Sequence, residues 1–201
     1  MIDDPQRVEV IDPANLAIQI RDDGIGALMI GMHYGNWELG TVPGYRVGFT
    51  QYHLYRAPNN PYVDALLNEL RSPLQQGGFI PKGSDGARQA VVLLKKHAHI
   101  GMLVDQKQDE GIPALFFGHK AMTTTAPAAL ARRLNVPVVA ARVVRQQGAY
   151  FKIFVHEFKI VKTENRQADV ALTTQQFNTL LEGWVREHPE QWFWVHRRWP
   201  R

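Results

Sequence analysis

An apolar run over residues 27–32 ends in His33, and Gly35 and Asn36 follow before the next apolar stretch opens at Trp37. Few architectures accept that order. A short apolar run bounded by turn residues reads as a strand buried on both faces, which requires helices packed above and below it. The expected arrangement is a strand over 27–32, a turn through Gly35 and Asn36, and a helix opened by Trp37 and Glu38. His33 and Glu38 then face each other across the turn. On one continuous helix, residues five apart would stand about 140° away from each other.

The same pattern recurs along the chain. Residues 100–104 read as a buried strand ending at Asp105, 47–55 as a strand ending just before Arg56, and 79–80 as a short strand. Residues 136–145 and 150–162 read as strands on either side of a Gln146-Gln147-Gly148 turn. Pro43-Gly44 breaks the short helix after Glu38. Asn60 caps a helix that has Pro61 at its first position and runs to about Arg71, with Asn60, Asp64 and Arg71 on one face and Leu66, Leu67 and Leu70 as its apolar stripe. Further helices are expected over 86–97 behind a Ser84 or Asp85 cap, from Thr125 and Pro127 to Leu134, and over 173–187. Residues 8–11 and 16–20 are short strand or helix pieces, and 106–121 form a long irregular loop, a kind of segment that usually carries function. Strands alternating with helices predict an α/β fold, with a mixed, largely parallel central sheet flanked by helices, as one domain over residues 1–201.

Ligand sites in such folds lie at the carboxyl ends of strands, and His33, Arg56 and Asp105 are all expected there. A neutral imidazole can take a proton from an alcohol while a carboxylate fixes its tautomer, help worth about 10²- to 10⁴-fold in rate. His33 is the candidate base and Glu38 its partner. Arg56, Arg71 and Lys82, at element ends, suit phosphates or an oxyanion. The chain has no cysteine, which excludes disulfides, thiolate metal sites and a cysteine nucleophile. Gly83-Ser84-Asp85-Gly86 is not the nucleophile elbow of serine hydrolases, and no glycine-rich nucleotide fingerprint occurs. His97 and His99 can share a strand face but lack a third ligand nearby, so no metal is expected and both are read as solvent-facing. An excess of 23 basic over 19 acidic residues gives +4, which favours acidic partners. No apolar run approaches the ~20 residues of a transmembrane helix, and the first residues do not form a signal peptide. The tail over 191–199 alternates aromatics with cations, which suits a buried final strand with a basic rim or an interfacial element.

Taken together, these residues resemble the bacterial lipid A biosynthesis acyltransferases, the late or secondary lauroyl and myristoyl transferases. The resemblance covers most of the chain from Ala27 onward. It rests on His33-Tyr-Gly-Asn-Trp-Glu38, on Tyr55-Arg56 with Asn60-Pro61-Tyr-Val-Asp64 and Arg71, on Val104-Asp105-Gln106-Lys107 with Phe116-Phe117-Gly118, and on Gln191-Trp-Phe-Trp-Val-His-Arg-Arg-Trp199. The resemblance implies a glycerolipid-acyltransferase-like fold and transfer of a fatty acyl chain from acyl carrier protein to a hydroxyl of a phosphorylated glucosamine lipid, without an acyl-enzyme. His33 is then the base and Glu38 its partner. Arg71 becomes a candidate for oxyanion or phosphate contact, with Arg56, Asn60, Asp64 and Asp105 shaping the substrate site. It implies no cofactor beyond the acyl carrier protein co-substrate, no nucleic-acid partner, and work at the cytoplasmic face of the inner membrane. Only 32 residues precede His33, so the family's membrane-anchoring helix is expected to be missing from this chain. A lysophospholipid or mannosylated acceptor, and a non-catalytic fragment that binds anionic lipid, remain open alternatives.

Overall fold

The computed structural model describes residues 2–74 and 77–200. In chain order its elements are β1 (Val8–Ile11), α1 (Leu16–Asp22), β2 (Leu28–Gly31), a 3-10 turn (Trp37–Thr41), α2 (Val42–Val47), β3 (Gln51–Tyr55), α3 (Pro61–Arg71) and β4 (Gly78–Pro81). There follow α4 (Ser84–Lys95), β5 (His99–Leu103), β6 (Ile112–Phe116), β7 (His119–Thr123), α5 (Ala126–Leu134), β8 (Val138–Arg145), β9 (Phe151–Phe158), α6 (Arg166–Glu187) and a closing 3-10 turn (Pro189–Gln191). Seven strands form one sheet in the order β1-β9-β8-β2-β5-β3-β4. Every neighbouring pair is parallel except β8 with β9. This is the mixed, largely parallel sheet expected from the alternation of strands and helices.

Strand alternation sends successive side chains to opposite faces. Leu28, Ile30 and Met32 join Ile100, Met102, Val138 and Ala140 in one apolar cluster, which α4, α5 and α6 close with Leu94, Ala131, Phe177 and Leu181. On the other face Ala27, Val139, Val143 and Ile153 pack with Ala17 and Ile20 of α1, Val42 of α2 and Leu39. Helices therefore cover both faces of the sheet, which is why its central strands are largely apolar on both sides rather than alternating. Asp169, fully buried on α6, ties that helix to the rest. It accepts from Thr163 N and Oγ1 and from Arg132 Nε on α5. Burial alone would raise its carboxyl, but the Thr163 and Arg132 hydrogen bonds outweigh it and pull the pKa down to about 2.

Several local expectations change. The segment read as a long loop contains the β6–β7 hairpin, turned at Phe117 and Gly118 with φ of 53° and 75°. Two consecutive positive φ values define the type I′ turn of two-residue hairpins. Pro43 starts α2 instead of breaking a helix, since proline's missing N–H costs nothing in a first turn. Gly83, at φ 107°, holds the cap position of α4, and neither Ser84 nor Asp85 caps it through a side chain. α6 starts at Arg166, seven residues earlier than its apolar pattern suggests, because Asn165 caps it through Ala168 N. The tail is not a strand. It is an irregular strap whose Arg198, only 1% exposed, donates to Met122 O, Thr123 Oγ1 and Asn178 Oδ1 and lies over the Phe116 ring.

Candidate active site

The parallel pairing of β2 with β5 sets Gly31 opposite Leu103. Two residues further along each strand come His33 and Asp105, which the register therefore places side by side. His33 Nδ1 lies 2.8 Å from Asp105 Oδ1, and the His33 backbone N–H donates to Asp105 Oδ2 at 3.1 Å. The Trp192 indole donates to the same oxygen at 2.9 Å. Asp105 is 3% exposed. Its burial would raise the carboxyl, but the hydrogen bonds from His33 and Trp192 prevail and hold it below the ordinary carboxylate range. An ionised Asp105 requires a proton on Nδ1, which leaves the lone pair on His33 Nε2, where the Gln106 side-chain amide approaches to 3.4 Å, as the position that accepts one. The imidazole is wedged between the Trp37 edge, at 5.2 Å between ring centroids, and Phe193, at 6.2 Å. The backbone N–H of Phe193 also donates to His33 O.

This geometry corrects the expected pairing of His33 with Glu38. Glu38 sits in the 3-10 turn and accepts a two-pronged hydrogen bond from Arg71, with Nε to Oε2 at 3.0 Å and the NH2 nitrogen to Oε1. Arg71, at the last turn of α3, also lies over the Tyr55 ring. Desolvation alone would lower its pKa, but the Glu38 carboxylate more than offsets that and raises it. A fixed cation results. The guanidinium has five N–H donors, and Glu38 takes two.

His33, Glu38, Arg56, Arg71, Lys82 and Gln106 line the polar end of a cavity of about 370 Å³, within the ~300–1,000 Å³ typical of small-molecule sites. The rest of the lining is mostly apolar, with Thr41, Gln51 and His53 among it. Met29, Gly31, Gly101, Leu103, Ala141 and Val143 project from the sheet face opposite Ile30 and Met102. Two glycines make the floor of this trough. A Cβ on Gly31 would meet Ala141 O at 3.2 Å, and one on Gly101 would meet His53 Nδ1 at 2.6 Å. Among the remaining expected substrate residues, Asn60 caps α3 through Tyr62 N. Asp64 accepts from the Tyr55 hydroxyl at 2.7 Å. Neither lines the cavity. Asp105 bonds His33 and does not line the cavity either. Trp192, Phe193 and His53 belong to the site without having been singled out as site residues, because no local pattern couples the tail or the middle of β3 to His33.

His53 gives a pH test. Burial, aided by the nearby Arg71 cation, lowers its pKa to about 4, and its Nε2 has no hydrogen-bond partner. An unfolded histidine titrates near ~6.5. Between those values the unfolded chain holds a proton that the folded chain does not, so stability falls as pH drops from about 6.5 toward 4. Burial of His99, which is covered by Phe49 instead of facing solvent, acts in the same direction. Urea titrations at pH 7.5, 6 and 5 should show a falling midpoint, and His53→Gln should flatten the slope. An unchanged slope in that variant would remove His53 from the account.

No curated protein sequence matches this chain. Among solved structures, the 1-acyl-sn-glycerophosphate acyltransferase PlsC from Thermotoga maritima is similar at 14% sequence identity, with 88% of this chain and 73% of that one covered and a TM-score of 0.45. The family model of the bacterial lipid A biosynthesis acyltransferases matches residues 5–201, and the chain belongs to that family.

Proposed function

We propose that this acyltransferase moves a fatty acyl chain from an acyl carrier protein thioester to a hydroxyl of a phosphorylated lipid A precursor, directly and without a covalent enzyme intermediate. The observation that carries the chemistry is the Asp105–His33 pair opening onto a trough that is cationic at one end and mostly apolar along the rest. His33 Nε2 takes the acceptor hydroxyl proton as the oxygen attacks the thioester carbonyl. The tetrahedral oxyanion collapses, the carbon–sulfur bond breaks, and the imidazolium returns the proton to the departing thiolate. Asp105 keeps the proton on Nδ1 and balances the imidazolium. Arg71, oriented by Glu38, faces the cavity as the donor for the oxyanion or for an acceptor phosphate. The apolar trough accepts the acyl chain, each buried methylene contributing about 0.8 kcal/mol. Arg56 and Lys82 at the polar end suit the phosphates of the acceptor.

The test is a transfer assay crossing two donors, acyl carrier protein and coenzyme A thioesters, with two acceptors, a lipid A precursor and a lysophospholipid. The expected product is the acylated lipid A precursor, formed faster from the carrier protein donor. Turnover on the lysophospholipid alone would reassign the acceptor. Binding of both lipids with no turnover would favour a non-catalytic role.

A further inference from the structure

α3 is built inside out. At about 100° per residue, Tyr62, Leu66, Leu70 and Val63 fall on one arc, and they are 85%, 54%, 68% and 43% exposed. The opposite arc carries Asp64, Asn68 and Arg71, and these polar side chains turn toward the protein, where Asp64 holds Tyr55 and Arg71 holds Glu38. None of the helix's 11 residues is buried. An amphipathic helix of a globular protein ordinarily turns its apolar stripe to the core. Here the site has claimed the inward face, and the outward stripe is left exposed.

We propose that this outward face of α3 inserts into the interfacial layer of an anionic bilayer and holds the cavity mouth against the membrane that contains the lipid acceptor. The proposal rests on the lipid-acceptor reading above. Charge supports it, since Arg56 and Lys82 stand exposed at the cavity mouth beside α3, and among the described residues neither is in a salt bridge. Cations flanking an apolar helical face are the composition of interfacial helices that prefer anionic lipid. Size argues against a second copy of the chain. Four side chains on a helix about 16 Å long fall short of the ~800 Å² per partner of a standard protein interface. A second exposed apolar group, Phe193, Trp194 and Val195, lies on the strap that touches His33.

Flotation of the full chain with phosphatidylglycerol–phosphatidylethanolamine vesicles, set against phosphatidylcholine vesicles, tests this without any need for turnover. The wild type should bind the anionic vesicles at least tenfold more tightly than the neutral ones. Leu66→Glu with Leu70→Glu should lose tenfold or more of that binding while keeping the melting temperature, and Leu66→Ser with Leu70→Ser should move the same way by less. His33→Ala should float like the wild type, so a wrong catalytic reading leaves this result intact. Undiminished binding in the Glu double variant would overturn the proposal. So would equal binding to both vesicle types, or a wild-type dimer that the double variant converts to monomer.

Discussion

His33→Ala is expected to reduce acyl transfer by about 10³-fold or more, at the upper end of general-base contributions, while the melting temperature moves by only a few degrees. The ring lies against Trp37 and Phe193 at the edge of the cavity and is not part of either apolar cluster. Asp105→Asn should be nearly as damaging, at about 10³- to 10⁴-fold. An amide at this position can present its NH2 group to the imidazole and so favour the tautomer with its proton on Nε2, the nitrogen that must accept. The neutral side chain also removes the counter-charge of the imidazolium that forms during transfer. Three donors now converge on the carboxylate, and Asn offers one acceptor oxygen, so a stability loss of about 1–3 kcal/mol should accompany the kinetic one. A variant at Asp105 that kept wild-type kcat would dismantle the pair.

Arg71→Ala should cost about 10²- to 10³-fold in rate, the range seen when one preorganised donor to a developing oxyanion is removed. Arg71→Lys should recover only a small part of it, because an ammonium cannot reproduce the two-pronged geometry that Glu38 accepts. The kinetic constants separate the two roles open to this cation. A donor used only in the transition state lowers kcat, and a contact to an acceptor phosphate raises KM. Glu38→Gln gives the decisive contrast with Asp105. If Glu38 acts by holding Arg71, this variant should lose only about tenfold, since the amide oxygen can still accept from the guanidinium. A loss matching that of Asp105→Asn would return Glu38 to the imidazole.

Where the chain carried a local signal, its sequence was informative. The apolar runs before His33 and Asp105, the Asn60-Pro61 cap of α3 and the turn between β8 and β9 are all set by neighbours in sequence, and the structure has them close to where pattern puts them. Strand order is not a local property. Nothing near residue 33 says that β5 instead of β3 lies beside β2, yet that adjacency makes Asp105 the imidazole's partner. The short His33-to-Glu38 spacing drew attention to the wrong carboxylate, because a 3-10 turn carries Glu38 toward α3. His99 looked solvent-facing for the same reason, since its cover, Phe49, comes from a distant loop. The hairpin of β6 and β7 was hidden by Pro113, which is tolerated on a two-stranded ribbon with a free edge. The tail's role depends on a bridge from Trp192 to Tyr34 and an indole bond to Asp105, contacts between remote parts of the chain.

That bridge also sets a timetable. Asp105 and Trp192 are 87 positions apart, and at about 5–20 residues per second a ribosome takes several seconds to go from one to the other. During that interval His33 and Asp105 already exist, but the indole that completes the carboxylate's hydrogen bonds and the Arg198 that pins the strap do not. The growing polypeptide therefore lacks the indole bond to Asp105 until residue 192 is made, and lacks the anchor of the strap until residue 198 follows.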